Sequence, residues 1–541
     1  MKLIVVGSGI AGMTAAIQAA DMGVEVCLIS PYSSERSQSV MAAGGINAAL
    51  DTLGEDDSIE SHVEDTYKGG CFLEKKETLQ SFCGRAPEHL HFLESLGVIF
   101  SRDKKGNIAL RAFGGQSHRR TAYAGSSTGK QIVTGLVQKC REYEKKGMIE
   151  RITGLFFHSA LISDGKCYGV VMMNQSGEIT PFFANGVILA TGGQNKLFGK
   201  TTGTEICDGY ATGKLFSQGV RLRNLEFIQY HPTTIETCHK KMLITEAARG
   251  EGGRLYYLKE GRPFYFMEEL FGEKGNLMPR DVVAKCIYDA PSQVFLDISF
   301  LGEKLIHERL QEVYDLCKEY INLDVTKESI PVSPSVHFFM GGIAVNTEHE
   351  TNIKRLYAVG ECASLYHGAN RLGGNSLLAA VHSGRVAAES FYKKYMDDSP
   401  EYQENPFKKQ INDIKEEIKA RKASKSKYPA VYILKDIAQI MNGNLGITRC
   451  EEGLSQGLEQ VEFYLKTLSK LKLDPDVSLY ENYRLYYMAL LAKAILVSAR
   501  ERKESRGAHI RIDYPEQSEE FQKSSYATYE KGKVSVAFSE E

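Results

Sequence analysis

The chain has no excess of charge of either sign: 66 basic and 68 acidic side chains leave a formal net charge of -2. Without the basic surface that a phosphate backbone demands, nucleic acid is excluded as a partner, and any anion must be recognised locally. No uninterrupted apolar run reaches the roughly 18 residues that a membrane span requires. No secretory signal precedes the apolar Leu3-Ile4-Val5-Val6. The expectation is a cytoplasmic protein that reaches the inner face of a membrane only through a partner. The 11 cysteines form no CxxC pair, so neither an iron–sulfur nor a zinc ligand set is expected, and they read as reduced, mostly buried thiols. Internal repeats and low-complexity tracts are also missing, which sets solenoids aside.

What is present is a mosaic. At about 150 residues per domain, 541 residues make three to four folding units, and 43% hydrophobic with 25% charged side chains is ordinary globular usage. Residues 3–30 read as strand, glycine turn, helix and strand, a βαβ opening. Two later apolar runs end in glycine, Gly186–Gly193 and Leu356–Glu361, and a single nucleotide-binding sheet assembled from distant segments explains all three. Around 236–330 the strand-glycine pattern stops and aromatic and charged residues rise, which marks an inserted domain. The polar segment Asp397–Asn405 marks a boundary. Beyond it, Leu454, Leu458, Val461, Leu465 and Leu468 fall on one helix face, and Tyr480–Ser498 reads as a long helix apolar on one side. The fold class expected is α/β: a Rossmann-like nucleotide-binding domain (1–235 and 331–395), an inserted α+β capping domain (236–330) and a C-terminal helical domain (406–541).

In Gly7-x-Gly9-x-x-Gly12 the first glycine makes a tight turn, the second admits a pyrophosphate and the third lets the helix pack on the strand. The acidic residue that usually meets the ribose about 20 residues on is missing, because the second strand ends Leu28-Ile29-Ser30-Pro31. FAD is favoured over NAD because Thr191-Gly192-Gly193, Asp208-Gly209 and Gly360-Glu361 supply several separated polar strand ends, which suits a long cofactor.

Eight segments occur in one order: Ala43-Gly44-Gly45-Ile46-Asn47, Phe113-Gly114-Gly115-Gln116-Ser117, Gln229-Tyr230-His231-Pro232-Thr233, Thr245–Gly253, Arg280-Asp281-Val282-Val283, His337–Gly342, His367–Leu377 and Ser505–His509. Together they resemble the flavoprotein subunit of succinate dehydrogenase and fumarate reductase, from residue 1 to about 515. By that resemblance Gly7, Gly9, Gly12, Ser37, Gln38, Ser39, Gly44, Gly45, Thr191, Gly192, Asp208, Glu361, Asn375, Ser376 and Leu377 line the FAD site. His231, Thr245, His337 and Arg371 hold the two carboxylates of a C4 dicarboxylate, Arg280 protonates the product carbon, and Glu246 and Arg249 relay its proton. The resemblance also implies a separate iron–sulfur electron-transfer partner.

One departure matters. The family attaches FAD through a histidine in an Arg-Ser-His-Thr segment, and here the match is Arg36-Ser37-Gln38-Ser39. Gln38 cannot form that bond, so FAD is expected to be held non-covalently, which favours fumarate reduction over succinate oxidation. L-aspartate oxidase, a relative with non-covalent FAD, or a reductase of another unsaturated acid is the alternative. The oxidase carries a glutamate where this chain has Phe113, and an apolar ring gives a substrate ammonium no counter-charge. An arginine acid is physically awkward, since guanidinium normally stays protonated, so Arg280 as a third carboxylate clamp remains open. An idle flavin carrier is a further class, and it predicts loss of Arg280 or Arg371, both of which are present. Ser505–His509 reads as a brace between domains.

Overall fold

The computed structural model describes all residues except 126, 239, 399–404, 423–429, 469–478 and 541. The expected boundary at 397–405 falls in part outside the described residues.

The three glycine-ended runs do form one sheet. Its five parallel strands lie in the order Leu356–Ala358, Gly186–Leu189, Lys2–Val6, Glu25–Ser30 and Ile149–Thr153, with Leu3 opposite Gly186 and Val187 opposite Leu356. Successive side chains point to opposite faces, and here both faces are covered, which is why the strand reads as a continuous apolar run. Leu3 and Val5 pack with the helices Ile10–Asp21 and Asn375–Tyr395, while Ile4 and Val6 pack against the antiparallel strands Phe156–Ser163 and Lys166–Met173. The carboxyl ends of the parallel strands deliver Gly7, Ser30, Ala190 and Val359 to one edge, the edge where doubly wound folds bind ligands.

A second, six-stranded sheet runs Lys241–Leu243, Ile228–Glu236, Ile330–Phe339, Val294–Asp297, Arg254–Lys259 and Arg262–Phe264. With the helices Arg280–Tyr288 and Gln311–Ile321 it has its own core, including Ile244, Leu255, Val283, Leu296 and Val313. Both expected junctions of the cap, near 235 and 330, fall on the paired strands Ile228–Glu236 and Ile330–Phe339.

The C-terminal segment is helical, as expected, and Leu454, Val461 and Leu468 are buried on the helix Glu451–Leu468. Two features differ from the sequence reading. The helix Leu479–Glu501 is buried on nearly every side rather than one, because it packs between the helices Glu451–Leu468 and Tyr210–Ser217. The chain also ends in a hairpin, Ser524–Glu530 with Lys533–Ser539, that adds to a sheet with Leu222–Arg223. Its turn places Lys531 and Gly532 at φ 48° and 82°, the left-handed pair that suits a right-twisted hairpin. Ser505–His509 is a brace: Arg506 donates to the Cys71 carbonyl at 2.9 Å, and His509 meets Arg449 at 2.7 Å. Among the described residues no helix is long and apolar enough to cross a membrane.

Candidate functional site

One elongated cavity runs from the glycine turn, past Ser37–Ser39, to the cap. The turn is obligatory at its base. A Cβ on Gly7 (φ 110°) would lie 2.2 Å from the Ala190 carbonyl oxygen, and one on Gly12 would lie 1.9 Å from the Gly7 oxygen. Close packing of strand and helix therefore needs glycine at both places. The N-cap residue of the helix Ile10–Asp21 is Gly9, with no side chain to offer; Ile10 N donates to Ser39 Oγ at 3.1 Å, and Gly9, Ile10 and Ala11 line the cavity there. Unsatisfied N–H groups at a helix start favour an anion. Ser37 Oγ is buried without a partner beside them. An exposed helix N-terminus, an orphan hydroxyl and a long lined groove fit a dinucleotide cofactor.

Of the residues expected to hold FAD, Gly7, Gly9, Ser37, Gln38, Ser39, Gly44, Gly45, Thr191, Gly192, Asp208, Glu361, Ser376 and Leu377 line this cavity. Gly12 and Asn375 lie behind it. Asn375 accepts from Asn47 Nδ2 at 2.8 Å and donates to Thr66 Oγ1 at 3.0 Å. Asp208 sits 3.5 Å from Arg484, and Tyr480 of the same C-terminal helix also lines the cavity, so that helix closes one wall. Gln38 Oε1 accepts from Thr204 N at 2.7 Å. Burial pushes the Glu361 carboxyl up to about 7, and its Oε1 accepts from Phe339 N at 3.2 Å.

At the cap end, His231, Thr245, Glu246, Arg280, His337 and Arg371 line the same cavity. Arg280 begins a cap helix, and its Nε and Nη2 both donate to Glu246 Oε2, at 2.8 and 2.6 Å. Glu246 Oε1 accepts from Gly114 N at 2.8 Å and lies 3.5 Å from Arg249. Burial opposes the Glu246 charge, but the Arg280 and Arg249 guanidiniums and this N–H hold its pKa below the usual range. Arg249 does not reach the cavity; it is 1% exposed and donates to the Asn276 carbonyl at 2.6 Å.

His231 and His337 face each other with ring centroids 5.1 Å apart. Burial, then the nearby Arg280 charge, holds both imidazoles well below their ordinary pKa, so they are neutral. His231 Nδ1 is occupied by Thr233, and its Nε2 is buried without a partner. His337 Nδ1 is 2.8 Å from Thr202 Oγ1. Arg371 lies 4.2 Å from the Phe338 ring centroid and keeps its Nε unpartnered. Two guanidiniums, Arg280 and Arg371, line the cavity beside one ionised carboxylate, Glu246, and His231 Nε2 and Arg371 Nε are buried without partners. Such a site selects an anion.

The sequence reading gave no role to Gln229. Its Oε1 accepts from Arg280 Nη1 at 3.1 Å and from Arg371 Nη2 at 2.9 Å, while its Nε2 donates to Asn370 Oδ1 and to the Arg371 carbonyl, both at 2.8 Å. Spacing held the signal: a strand residue two places from His231 shares its face. Thr202 was missed too, and no local pattern marks it.

The chain matches the model of an FAD binding domain over residues 2–377 and that of a fumarate reductase flavoprotein C-terminal region over 434–541. It belongs to the succinate dehydrogenase/fumarate reductase flavoprotein family. It is 36% identical over 540 residues to a succinate dehydrogenase flavoprotein subunit of Bacillus subtilis, covering 96% of this chain and 92% of that protein. With a fumarate reductase flavoprotein subunit of Haemophilus influenzae the identity is 32% over 551 residues, covering 96% and 90%. A solved quinol-fumarate reductase with menaquinol molecules superposes with a TM-score of 0.92 at 32% identity, covering 99% of this chain and 97% of that one. The protein is thus an FAD-dependent oxidoreductase of this family, with the α/β flavin domain, cap and helical C-terminal part that the family resemblance implied.

Proposed function

We propose that the protein is the flavoprotein of a fumarate reductase, holding FAD without a covalent bond and reducing fumarate to succinate. The observation that carries this reading is Arg280, tied twice to Glu246 Oε2 and facing the cavity beside His231, His337 and Arg371. FAD, when bound, supplies the hydride that the alkene accepts. In the tautomer whose Nδ1 accepts from Thr233 N, His231 carries its proton on Nε2 and can donate it to a substrate carboxylate. Arg371 and Thr245 grip the anionic ends, and polarising one carboxylate draws electron density from the double bond.

The remaining carbon needs a proton. When Arg280 gives its proton to the carbon, the ionised Glu246 has none of its own to return, so it takes one from Arg249, 3.5 Å away, and passes it to Arg280, and Arg249 is reprotonated from solvent. Arg249 stands behind Glu246 as its reserve. In the division proposed here, at 235, 330 and 395, the cap supplies Thr245, Glu246 and Arg280. At the family's attachment position Gln38 offers an amide already engaged with Thr204, which supports non-covalent FAD. Electrons would come from a separate iron–sulfur protein or a soluble donor, and membrane contact through such a partner.

The test is anaerobic: dithionite-reduced, FAD-loaded protein is mixed with fumarate, and oxidised protein with L-aspartate. Rapid return of the oxidised flavin spectrum with fumarate is expected. Bleaching by aspartate, with no response to fumarate, would move the assignment to the oxidase. Phe113, 3% exposed with its ring against Gly44 and Gly373, argues against that outcome.

A further inference from the structure

The segment from Lys241 to Thr245 carries more than Thr245 to the cavity. Lys241, Met242, Leu243 and Thr245 all line it, and burial deepens from the partly exposed Lys241 to Thr245 at 6%. The row leads from mouth to floor. Lys241 pairs across the strands with Glu236, yet Glu236 is bound to Lys200 at 3.4 Å. The Lys241 ammonium instead meets neutral acceptors, Ser333 Oγ at 3.5 Å and the Pro334 carbonyl at 3.4 Å. Burial, opposed in part by the Glu236 carboxylate and aided by the Lys200 charge, holds its pKa below that of an ordinary lysine.

A half-buried cation that hydrogen-bonds only to neutral acceptors, and that shares the Glu236 carboxylate with Lys200, is costly unless something supplies further opposite charge. The strand itself is held by backbone pairing. Its main chain donates to the Thr201 carbonyl, one residue from the Thr202 that holds His337. The cation therefore borders the wall that orients a proposed carboxylate ligand. Lys240 lines the same mouth.

We propose that Lys241 is a substrate-guiding residue: its ammonium meets an incoming dicarboxylate at the cavity mouth and directs one carboxylate inward toward Arg371 and His337. This rests on the dicarboxylate reading above. Attraction at the mouth raises the local anion concentration and the association rate, and salt screens it.

The experiment uses FAD-loaded protein and malonate, a dicarboxylate with no CH–CH bond to oxidise, followed by perturbation of the flavin spectrum. Lys241→Met should weaken malonate binding and lower kcat/KM for fumarate by about tenfold at low salt, with a much smaller change in kcat. The deficit should shrink at high salt, which a packing defect would not do, and Lys241→Arg should restore binding. Equal malonate affinity of the Met variant and the unsubstituted protein at low salt, or a deficit indifferent to salt, would overturn the guiding role alone. An unsubstituted protein that neither binds malonate nor responds to fumarate would overturn the dicarboxylate reading, and this proposal with it.

Discussion

Arg280 of the cap and Arg371 of the flavin domain donate to one and the same oxygen, Gln229 Oε1, at 3.1 and 2.9 Å. With Arg280 already paired to Glu246, a neutral amide at this point leaves the Arg371 charge for a ligand, whereas a carboxylate there would neutralise it. The other end of the amide is fixed by Asn370 Oδ1 and the Arg371 carbonyl, so the oxygen cannot turn away without losing four hydrogen bonds.

Replacing Gln229 by Met should therefore separate the two arginines without touching the flavin. The expected result is unchanged FAD content and a fall of about 10- to 100-fold in kcat/KM for fumarate, the scale associated with small misplacements of reacting groups. Steady-state kinetics with a reduced dye donor checks it, and wild-type kinetics would show that the amide is only packing.

Arg280→Lys tests the proton donor directly. A lysine ammonium cannot place two N–H groups on Glu246 Oε2 while reaching Gln229. Fumarate reduction should fall at least about 100-fold, with FAD still bound. A rate near that of the unsubstituted protein would refute the acid role.

Flavin attachment can be read without any substrate. If Gln38 leaves FAD non-covalent, acid precipitation should release all the flavin to the supernatant and leave none fluorescing with the polypeptide on a denaturing gel. Flavin that stays with the chain would show attachment through another residue.

Stability should fall with acid for a stated reason. Burial holds His62 and His367 down to about 3 and His349 to about 4. Burial likewise depresses His231, His337, His382 and His509. Unfolded imidazoles take up protons near about 6.5, so this stability is complete above that pH and is lost as the pH falls below it. Glu361, at about 7, and Asp281, at about 6, act in the opposite sense, favouring the folded state at low pH, but they are outnumbered. The melting midpoint should drop between about pH 7 and 5; a flat profile would show that the imidazoles are not buried neutral.

Much of this could be read along the chain. The glycine turn and the apolar runs at 3–6, 186–189 and 356–359 announced a nucleotide-binding sheet because parallel strands covered on both faces admit little else. Motif order placed His231, Thr245, Glu246, Arg280, His337 and Arg371 in one site, and the cavity brings them together. The closing hairpin escaped because its short alternating strands, half exposed, give a weak signal. The all-round burial of Leu479–Glu501 escaped because its polar-looking tyrosines pack against other aromatic rings, as Tyr480 does on Phe156.

By itself, then, the sequence determined the family and the cofactor class and named candidate site residues, since these rest on residue type and local spacing. Only the tertiary structure decided which of them share an acceptor. Gln229 binding two arginines, Asn375 and Arg249 standing behind the cavity rather than in it, and Lys241 hydrogen-bonding only to neutral acceptors at its mouth all depend on how far-apart segments pack. A hydrogen bond acts over about 3 Å in space, and separation along the chain does not encode that distance.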